Sequence, residues 1–477
     1  MNAGMRTPSI WLAVGLLLVG CVTAQVERYE LGLRLRAFER HLDAVRDEPR
    51  RAAAFVELNR AVQAFFRLDT GAVAKAIDVA GSALAGQPRS VAEQYAASLQ
   101  WSLDDRMVAA GDGSLEGRVS LAYRIDDEDY EPTNLQLAVL VPAAAHAKGM
   151  QLVVMPLSEL PMTTSLPLSG LLVGDHVLTW TILAGEEVLV RREQALSVVE
   201  DLDARLEALA ISAKEQRSQV PATVESQTLV ALSRMLQGMR RRRPGETVLR
   251  GAELLAEAEE LAAWLAAGRD QPFYGGHRSG SFRLRVPVGK RTVSVRVSVP
   301  EVASDVPMVV ALHGAGGSEN LFFDGYGDGR VVRLGAARKW MVVAPRVALG
   351  SLDCAALVDA LAERFPVDTN RVVMVGHSMG AMQAVANAVG DPKRYRGVAA
   401  LGGGGRVGRG TDFGGLPFFV GVGSADFALS GARSLHRALR SAGAVSELRE
   451  YQGVEHLAIV QLALDDVFVF FDESLGL

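Results

Sequence analysis

The sequence predicts a multidomain protein whose C-terminal part is an α/β domain, with a mainly parallel sheet covered by helices on both faces. Three observations lead to this prediction. At 477 residues, the chain is longer than one hydrophobic core usually supports. Its hydrophobic period changes from helical to alternating near residue 113 and becomes helical again after residue 200. From about residue 275 onward, short apolar strands alternate with helical segments.

The composition is that of a folded globular protein. Hydrophobic residues make up 49% of the chain and charged residues 22%, which excludes global disorder. The formal net charge is -5, so the composition gives no indication of nucleic-acid binding. The basic run at 240–243, which ends before Pro244, is interpreted as a solvated helix end.

The first twenty residues resemble a signal peptide. Arg6 precedes an apolar run at 10–20 that has signal-peptide length and is too short to span a bilayer. The run ends in L-V-G-C, which resembles a bacterial lipobox, so that cleavage would leave Cys21 as the lipidated first residue. Val22 then resembles the outer-membrane class of bacteria with two membranes. An ordinary secretory signal is the alternative. The resemblance predicts an extracytoplasmic protein held in the bacterial cell envelope by a lipid anchor.

Three regions connect this segment to the α/β part. Residues 21–112 carry apolar side chains at helical spacing, which predicts a helical bundle or a stalk. Residues 113–200 alternate between apolar and polar types between turn signals, which predicts a small β-sandwich. Residues 201–274 form a predicted helical connector, and glycine pairs near 275 mark the start of the domain at 275–477. None of the three regions has a ligand that the sequence can name.

Residues 376–380 spell G-H-S-M-G, which is a G-x-S-x-G pattern. The β-branched stretch at 371–375 predicts a buried strand before it, and residues 381–389 predict a helix after it. A serine on a tight strand-to-helix turn is the arrangement of a nucleophile elbow. Ser378 is therefore the candidate nucleophile.

A serine hydroxyl needs a nearby imidazole to accept its proton. His456, in a loop before the last predicted helix, is the candidate base. His377 lies inside the elbow and is expected to point away from the serine's attacking side, whereas His436 lies in a predicted helix. His313 precedes a glycine-rich loop, which is considered below.

Asp426 is the candidate acid. It follows the predicted strand at 418–422 and lies between the serine and the histidine in the chain, which is the order Ser, Asp, His. A carboxylate there can orient the imidazole and stabilise its charged form. Asp391 and Asp412 are competitors, but neither directly follows a strand.

Acyl transfer also needs donors for the oxyanion of the tetrahedral intermediate. The backbone N–H of Met379, directly after the nucleophile, is one candidate. The second candidate is the loop Gly314, Ala315 and Gly316, which follows the apolar strand at 308–312. The glycines of this loop allow the backbone to approach a substrate closely.

In order, these motifs resemble those of the α/β-hydrolase superfamily. They are H-G-A-G-G at 313–317, G-H-S-M-G at 376–380, G-S-A-D at 423–426 and G-V-E-H at 453–456. V-D-T-N-R at 367–371 looks like the branch of polyhydroxybutyrate depolymerases and feruloyl esterases. The resemblance covers 275–477 only. It implies that Ser378 is the nucleophile, Asp426 the acid and His456 the base. Ala381 departs from the pattern, since such enzymes often have a second glycine there.

The predicted function is that of a lipid-anchored serine hydrolase that cleaves a carboxylic ester, in a small molecule or a polymer, through an acyl-enzyme. A serine peptidase and an inactive surface-binding lipoprotein are the alternatives. The short segment between Ser378 and Ser424 leaves little room for a large lid, so an open site is expected. The loop at 321–326 and Phe413 are expected near the specificity region, where Phe322, Phe323 and Tyr326 either pack or line a pocket. No metal or cofactor is implied.

Overall fold

The computed structural model describes residues 28–127, 130–157, 159–218, 221–240, 250–302, 304–348, 350 and 352–477. Cys21, the rest of the signal-like segment and residues 241–243 of the basic run lie outside these ranges. Within the described residues, no helix has both the length and the apolar character needed to cross a bilayer.

The helices and strands follow one another along the chain in this way. The helices are α1 Arg28–Ala44, α2 Glu48–Phe66, α3 Thr70–Ala85, α4 Val91–Ser98, α5 Leu202–Gln216, α6 Val224–Met239, α7 Gly251–Ala266, α8 Leu321–Asp324, α9 Tyr326–Ala337, α10 Cys354–Ala362, α11 Met379–Gly390, α12 Leu429–Ser441 and α13 Ala458–Leu475. The strands are β1 Leu99–Leu103, β2 Met107–Ala109, β3 Ser114–Leu121, β4 Leu135–Val141, β5 Gln151–Pro156, β6 Met162–Pro167, β7 Gly174–Ala184, β8 Glu187–Val199, β9 Gly280–Val288, β10 Arg291–Val299, β11 Val306–Leu312, β12 Met341–Pro345, β13 Val367–His377, β14 Gly397–Leu401, β15 Pro417–Gly423 and β16 Val445–Tyr451.

The C-terminal part is built on one eight-stranded sheet with the order β9-β10-β12-β11-β13-β14-β15-β16. β10 is antiparallel to β9 and to β12, and the other neighbouring pairs are parallel. The sheet is therefore mainly parallel, as the sequence predicts. Because parallel strands end at the same edge, the segments that follow β11, β13 and β15 meet there.

Helices cover both faces of this sheet. Met308, Val310 and Leu312 of β11 join one hydrophobic cluster, whereas Val309 and Ala311 join another, as the alternation of side chains along a strand requires. The first cluster contains residues of α5, α6, α7, α10, α11 and α12. The second contains residues of α1, α2, α3, α8, α9 and α13. The N-terminal helices thus pack on one another and share a core with the sheet, so the prediction of a stalk is wrong.

The ends of the N-terminal helices follow local signals in the sequence. The Asp47 carboxylate caps α2 by accepting from the Arg50 N–H at 3.0 Å, and Asp69 caps α3 by accepting from the Ala72 N–H at 2.9 Å. At its other end α3 stops at Gly86, whose φ of 74° is left-handed. These caps fix where α2 begins and where α3 begins and ends.

Two sheets form the β region between the helices. A three-stranded sheet has the order β1-β3-β6, and a five-stranded sheet has the order β2-β8-β7-β4-β5. They share one hydrophobic core, in which Trp101 of the first sheet meets Trp180 of the second edge-on at 6.4 Å. The strands begin at Leu99, so the prediction of a helical region up to residue 112 is wrong at its end. Directly after α4 the chain extends into β1, and five residues are too few for the sequence period to reveal the change.

A buried cluster of charges joins α1 and α3 to the β region. Arg34 of α1 and Arg192 of β8 both contact Glu30 and Asp78, and all four side chains are almost inaccessible to solvent. Both guanidinium groups also donate to the backbone carbonyls at 97 and 99, where α4 ends. The Tyr123 hydroxyl donates to Asp78 at 2.8 Å. Two cations and two carboxylates thus balance each other in a site that excludes water.

We expect Asp78→Ala to destabilise the protein by roughly 3–5 kcal/mol, because it leaves two buried guanidinium groups with one carboxylate. Asp126→Ala is the matched control, since Asp126 pairs with Lys75 while 86% of its side chain is exposed, and exposed pairs contribute about 0–1 kcal/mol. Thermal unfolding measures both variants. Equal midpoints for the two would contradict the role assigned to the buried cluster.

Candidate active site

Ser378 lies at the turn between β13 and α11, with φ 55° and ψ −113°. A residue with a Cβ rarely adopts this conformation, and such outliers cluster at functional sites. The turn is as tight as the G-x-S-x-G pattern predicts. A Cβ on Gly380 would lie 1.9 Å from the Leu312 carbonyl oxygen at the end of β11. Glycine at 380 is therefore a condition for the turn, which points the serine side chain away from the strand end.

The structure brings together the three side chains that the sequence singles out. The Ser378 hydroxyl donates to His456 Nε2 at 3.0 Å. On the other side of the ring, His456 Nδ1–H donates to the Asp426 carboxylate at 2.9 and 3.1 Å. The Asp426 side chain is fully buried, and its Oδ1 also accepts from the Ala428 N–H at 2.8 Å. This carboxylate therefore holds one imidazole tautomer, in which Nε2 is free to take a proton from the serine.

His377, the histidine inside the elbow, has a different role from His456. Its Nδ1 accepts from the Tyr326 hydroxyl at 2.6 Å, and its Nε2–H donates to the backbone carbonyl of His456 at 2.8 Å. Burial and the neighbouring His456 hold the pKa of His377 well below its usual value, so the ring stays neutral. His377 thus supports the loop that carries His456 and makes no hydrogen bond with Ser378.

Tyr326 was not assigned a definite role from the sequence. Burial raises the pKa of its phenol, which stays protonated, and a backbone hydrogen bond from Gly314 opposes that rise. Tyr326 therefore ties the loop after β11 to His377 and, through it, to His456. Its position at φ 43° directly after Gly325 gave no recognisable pattern in the sequence. Phe322 and Phe323 of the same loop are buried in the core, as is Phe413, so none of the three lines the cavity at the serine.

A glycine run after β14 was also missed by sequence reasoning. A Cβ on Gly403 would lie 2.7 Å from the Ala381 Cβ and 2.8 Å from the Ser378 backbone oxygen. Gly403 thus provides the space for Ala381, the residue that departs from the usual glycine. The four consecutive glycines at 402–405 are the signal that could have revealed this packing.

The competing residues lie in other settings. Asp412 is exposed and accepts from the Gly414 N–H in a turn, and Asp391 ends α11. His436 bonds to the Ser446 hydroxyl at 3.0 Å on α12. Buried His313 packs beside the loop, where its Nε2 accepts from the Val347 N–H at 3.0 Å. Among the described residues, no group of three or more His, Cys, Asp or Glu side chains is arranged to hold a metal ion.

A cavity of about 210 Å³ opens beside Ser378 and His456. One side of it is the loop 314–318 after β11. The opposite side comes from α1, α2 and α3, which we call the roof helices, so the expectation of an open site is wrong for that side. The reason is topological: the cover comes from the far N-terminal end of the chain and not from the short segment between Ser378 and Ser424. The residues that the roof helices contribute are Leu31, Gly32, Leu35, Arg36, Ala61, Val62, Phe65, Phe66, Val73 and Ile77.

Polar contacts fix α1 to the C-terminal α/β part. Arg36 and Arg40 both bond to Asp328, at 2.7 and 3.2 Å. Gln461 of α13 donates to the Glu39 backbone carbonyl at 2.9 Å and to Asp43 at 2.6 Å. Asp328 can accept two arginines because the chain turns sharply there, with φ 55°. The roof is therefore attached both to an element that precedes the elbow in the sequence and to one that follows it.

The comparisons with known proteins give the following. The chain matches no protein-family model and no curated protein. It is similar in structure to an S-formylglutathione hydrolase from Agrobacterium tumefaciens, with 18% identity over 43% of this chain and 98% of the other and a TM-score of 0.35. A ferulic acid esterase shows 16% identity over 41% of this chain and 97% of its own, with a TM-score of 0.35. A thermophilic carboxylesterase cloned from a metagenomic library shows 18% identity over 47% and 95%, with a TM-score of 0.34. These neighbours are esterases and hydrolases. Because their TM-scores are only 0.34–0.35, a function for this chain must be argued from the geometry of its own site.

Glu39 of α1 gives the attachment of the roof a pH dependence. It is buried beside Gly327, and burial raises the pKa of its carboxyl from 4.5 to about 8. In the unfolded chain this group ionises near the lower value, so wild-type stability should fall between about pH 4.5 and 8. Glu39→Gln removes that loss, so the variant should gain stability over wild type as the pH rises through this window.

Thermal unfolding at pH 5 and pH 8 checks this, with Glu48→Gln as the control because the Glu48 side chain is 81% exposed. A difference between Glu39→Gln and wild type that is the same at both pH values would exclude a raised Glu39 pKa.

Proposed function

We propose that this protein is a serine hydrolase of the α/β-hydrolase type that cleaves a carboxylic ester through an acyl-enzyme. The hydrogen-bonded series from Ser378 through His456 to Asp426 carries the proposal. An imidazole that bonds to the serine hydroxyl on one side and to a buried carboxylate on the other is the arrangement that activates a serine. The mainly parallel sheet, with the serine at the carboxyl end of β13, supports the same conclusion.

The reaction follows from this geometry. His456 Nε2 takes the hydroxyl proton as Ser378 Oγ bonds to the ester carbonyl carbon. The carbon–oxygen bond to the alcohol then breaks, and the imidazolium gives its proton to that oxygen. Water next attacks the acyl-enzyme while Nε2 takes its proton, the Oγ–carbon bond breaks, and the proton returns to Ser378. The buried Asp426 carboxylate stabilises the imidazolium in both halves.

Two sets of backbone N–H groups are suited to the oxyanion. Met379 is the first residue of α11, and a helix leaves its first N–H groups without intrahelical acceptors. The loop after β11 offers the second donor. Because Gly314 hydrogen-bonds to the Tyr326 hydroxyl, we assign this role to Ala315 or Gly316 rather than to Gly314.

The roofed cavity favours an ester over a peptide. Helices cover it on one side, and nearly all of its lining is apolar or backbone. A peptidase site must accommodate chain on both sides of the scissile bond and pair with its backbone, for which a cavity covered by apolar helix faces offers few partners. The intact hydrogen bonds from Ser378 to Asp426 likewise favour an active enzyme over an inactive surface-binding lipoprotein.

Fluorophosphonate labelling tests the nucleophile. Wild type should be labelled, and Ser378→Ala should not. Asp426→Asn should lower kcat for a short acyl ester by about 10⁴-fold, because the amide favours the wrong imidazole tautomer. Asp412→Asn, in an exposed turn, is the matched control and should leave kcat unchanged. Equal labelling of wild type and Ser378→Ala would overturn the assignment, and faster turnover of peptide amides than of esters would favour a peptidase.

We also propose that the enzyme is exported and anchored by a lipid on Cys21. The apolar run followed by L-V-G-C at 18–21 supports this. Cys21→Ser should move the protein from the membrane fraction to the soluble fraction of the cell envelope. Mass spectrometry of the mature N-terminus measures the lipid directly. An uncleaved or unacylated N-terminus in wild type would contradict the anchor.

A further inference from the structure

The cavity beside Ser378 is bordered by three helices that each present one apolar stripe. Leu31 and Leu35 lie one turn apart on α1, Val73 and Ile77 one turn apart on α3, and Phe65 lies one turn after Ala61 on α2. Residues four apart share a helix face. The same spacing on each of the three helices means that the cavity has a continuous apolar wall.

This wall touches the loop that holds the proposed oxyanion donors. A Cβ on Gly316 would lie 2.3 Å from Phe65 Cζ, so the phenyl ring rests directly on the backbone of Gly316, whose φ is 76°. Phe65 is nevertheless 37% exposed, because its other face borders the cavity. The residue therefore lies between the loop and the space into which a substrate group would extend.

The charges in the lining are already paired. Apart from two histidines, Arg36 is the basic and Asp324 the acidic side chain that lines the cavity among the described residues. Arg36 is held by Asp328 at 2.7 Å, and Asp324 by Arg296 at 2.6 Å. A charged substrate group would have to compete with these ion pairs, whereas an uncharged apolar group would meet the wall without such a cost.

The two sides of the catalytic histidine differ in enclosure. Phe427 packs against the His456 ring at 4.3 Å, and Phe66 meets Phe427 at 6.0 Å. Both phenyl rings are more than half exposed, although Phe66 also lines the cavity, so the His456 side, where the alcohol oxygen would take its proton, has more access to solvent than the wall does. The wall is less exposed, since Phe65 is 37% exposed and lies against the loop at Gly316. This asymmetry assigns the wall to the acyl group of the ester and not to its alcohol.

We propose that the roof helices form the acyl-binding wall, and that the enzyme therefore prefers esters of compact, uncharged apolar acids. The proposal rests on the serine hydrolase function above and goes further by assigning a role to the N-terminal region. Phe65 and Leu35 are the specificity-determining residues. Phe65 limits the length of the acyl group at the loop, and Leu35 borders the same space from α1.

Turnover of two ester series by the full-length protein tests this. One series has p-nitrophenyl esters of linear acids from acetate to dodecanoate, and the other has acetates of phenols and alcohols of increasing size. In wild type, kcat/KM should rise by roughly fourfold per methylene along the acyl series while the chain fits, and then fall. Phe65→Ala should move the optimum to longer acyl chains, and Leu35→Trp should move it to shorter ones. Neither variant should change the order of preference among the acetates.

Val56→Ala is the matched control, because Val56 lies on α2 but is 57% exposed and does not line the cavity. Fluorophosphonate labelling of each variant confirms that its site is folded. The acyl profile of either Phe65→Ala or Leu35→Trp is enough to test the acyl wall. Labelled variants with the wild-type acyl profile would overturn the acyl wall and leave the hydrolase function standing. A shift in the acetate series instead would assign the wall to the alcohol and also overturn it. Failure of wild type to be labelled at Ser378 would be a failure of the proposed function itself.

Discussion

The positive φ of Ser378 is the constraint from which the rest of the site follows. The chain reverses from β13 into α11 at this single residue, and the reversal requires α11 to lie against the end of β11 with no side chain at Gly380. The same close approach places the loop that begins at Gly314 beside the serine. One strained turn therefore positions both the Ser378 side chain and the loop that begins at Gly314, and strain of this kind persists only where the surrounding packing fixes it.

That packing is shared between distant parts of the chain. The roof helices and α13 lie in one hydrophobic cluster with alternate residues of β11 and β13, and burial of this surface supplies most of the stabilisation. The polar contacts act differently. Gln461 bonds to the backbone of Glu39, and Arg34 joins α1 to Asp78 of α3, so these groups determine where the helices lie on the apolar surface. Charged groups that are buried gain little net stability, which makes such a positioning role the better account of them.

The sequence predicted which side chains meet at the end of the sheet better than it predicted their surroundings. Ser378, Asp426 and His456 each follow or precede a strand with a clear local pattern, and the chain order restricts the choice among competitors. The roof was missed because the spacing of Phe55, Leu58 and Val62 shows which face of α2 is buried but not what covers it. Tyr326 was missed for a related reason: its hydroxyl acts on His377 only after two separate segments meet. Gly403 is different. Its glycine run is visible in the sequence, and only its contact with Ala381 is not.

This division between local and distant signals also explains why the reaction can be inferred before the substrate. The groups to which we assign the chemistry lie at one edge of a single sheet, within 275–477, where motifs can be recognised. The space for the substrate is bordered by residues near the other end of the chain, such as Leu35 and Phe65. Without α1 to α3, the apolar residues around α9 and α13 that now pack in the shared cluster would face water. The N-terminal helices are therefore part of the same structural unit as the C-terminal sheet, both as a cover for one of its faces and as a wall of the cavity beside Ser378.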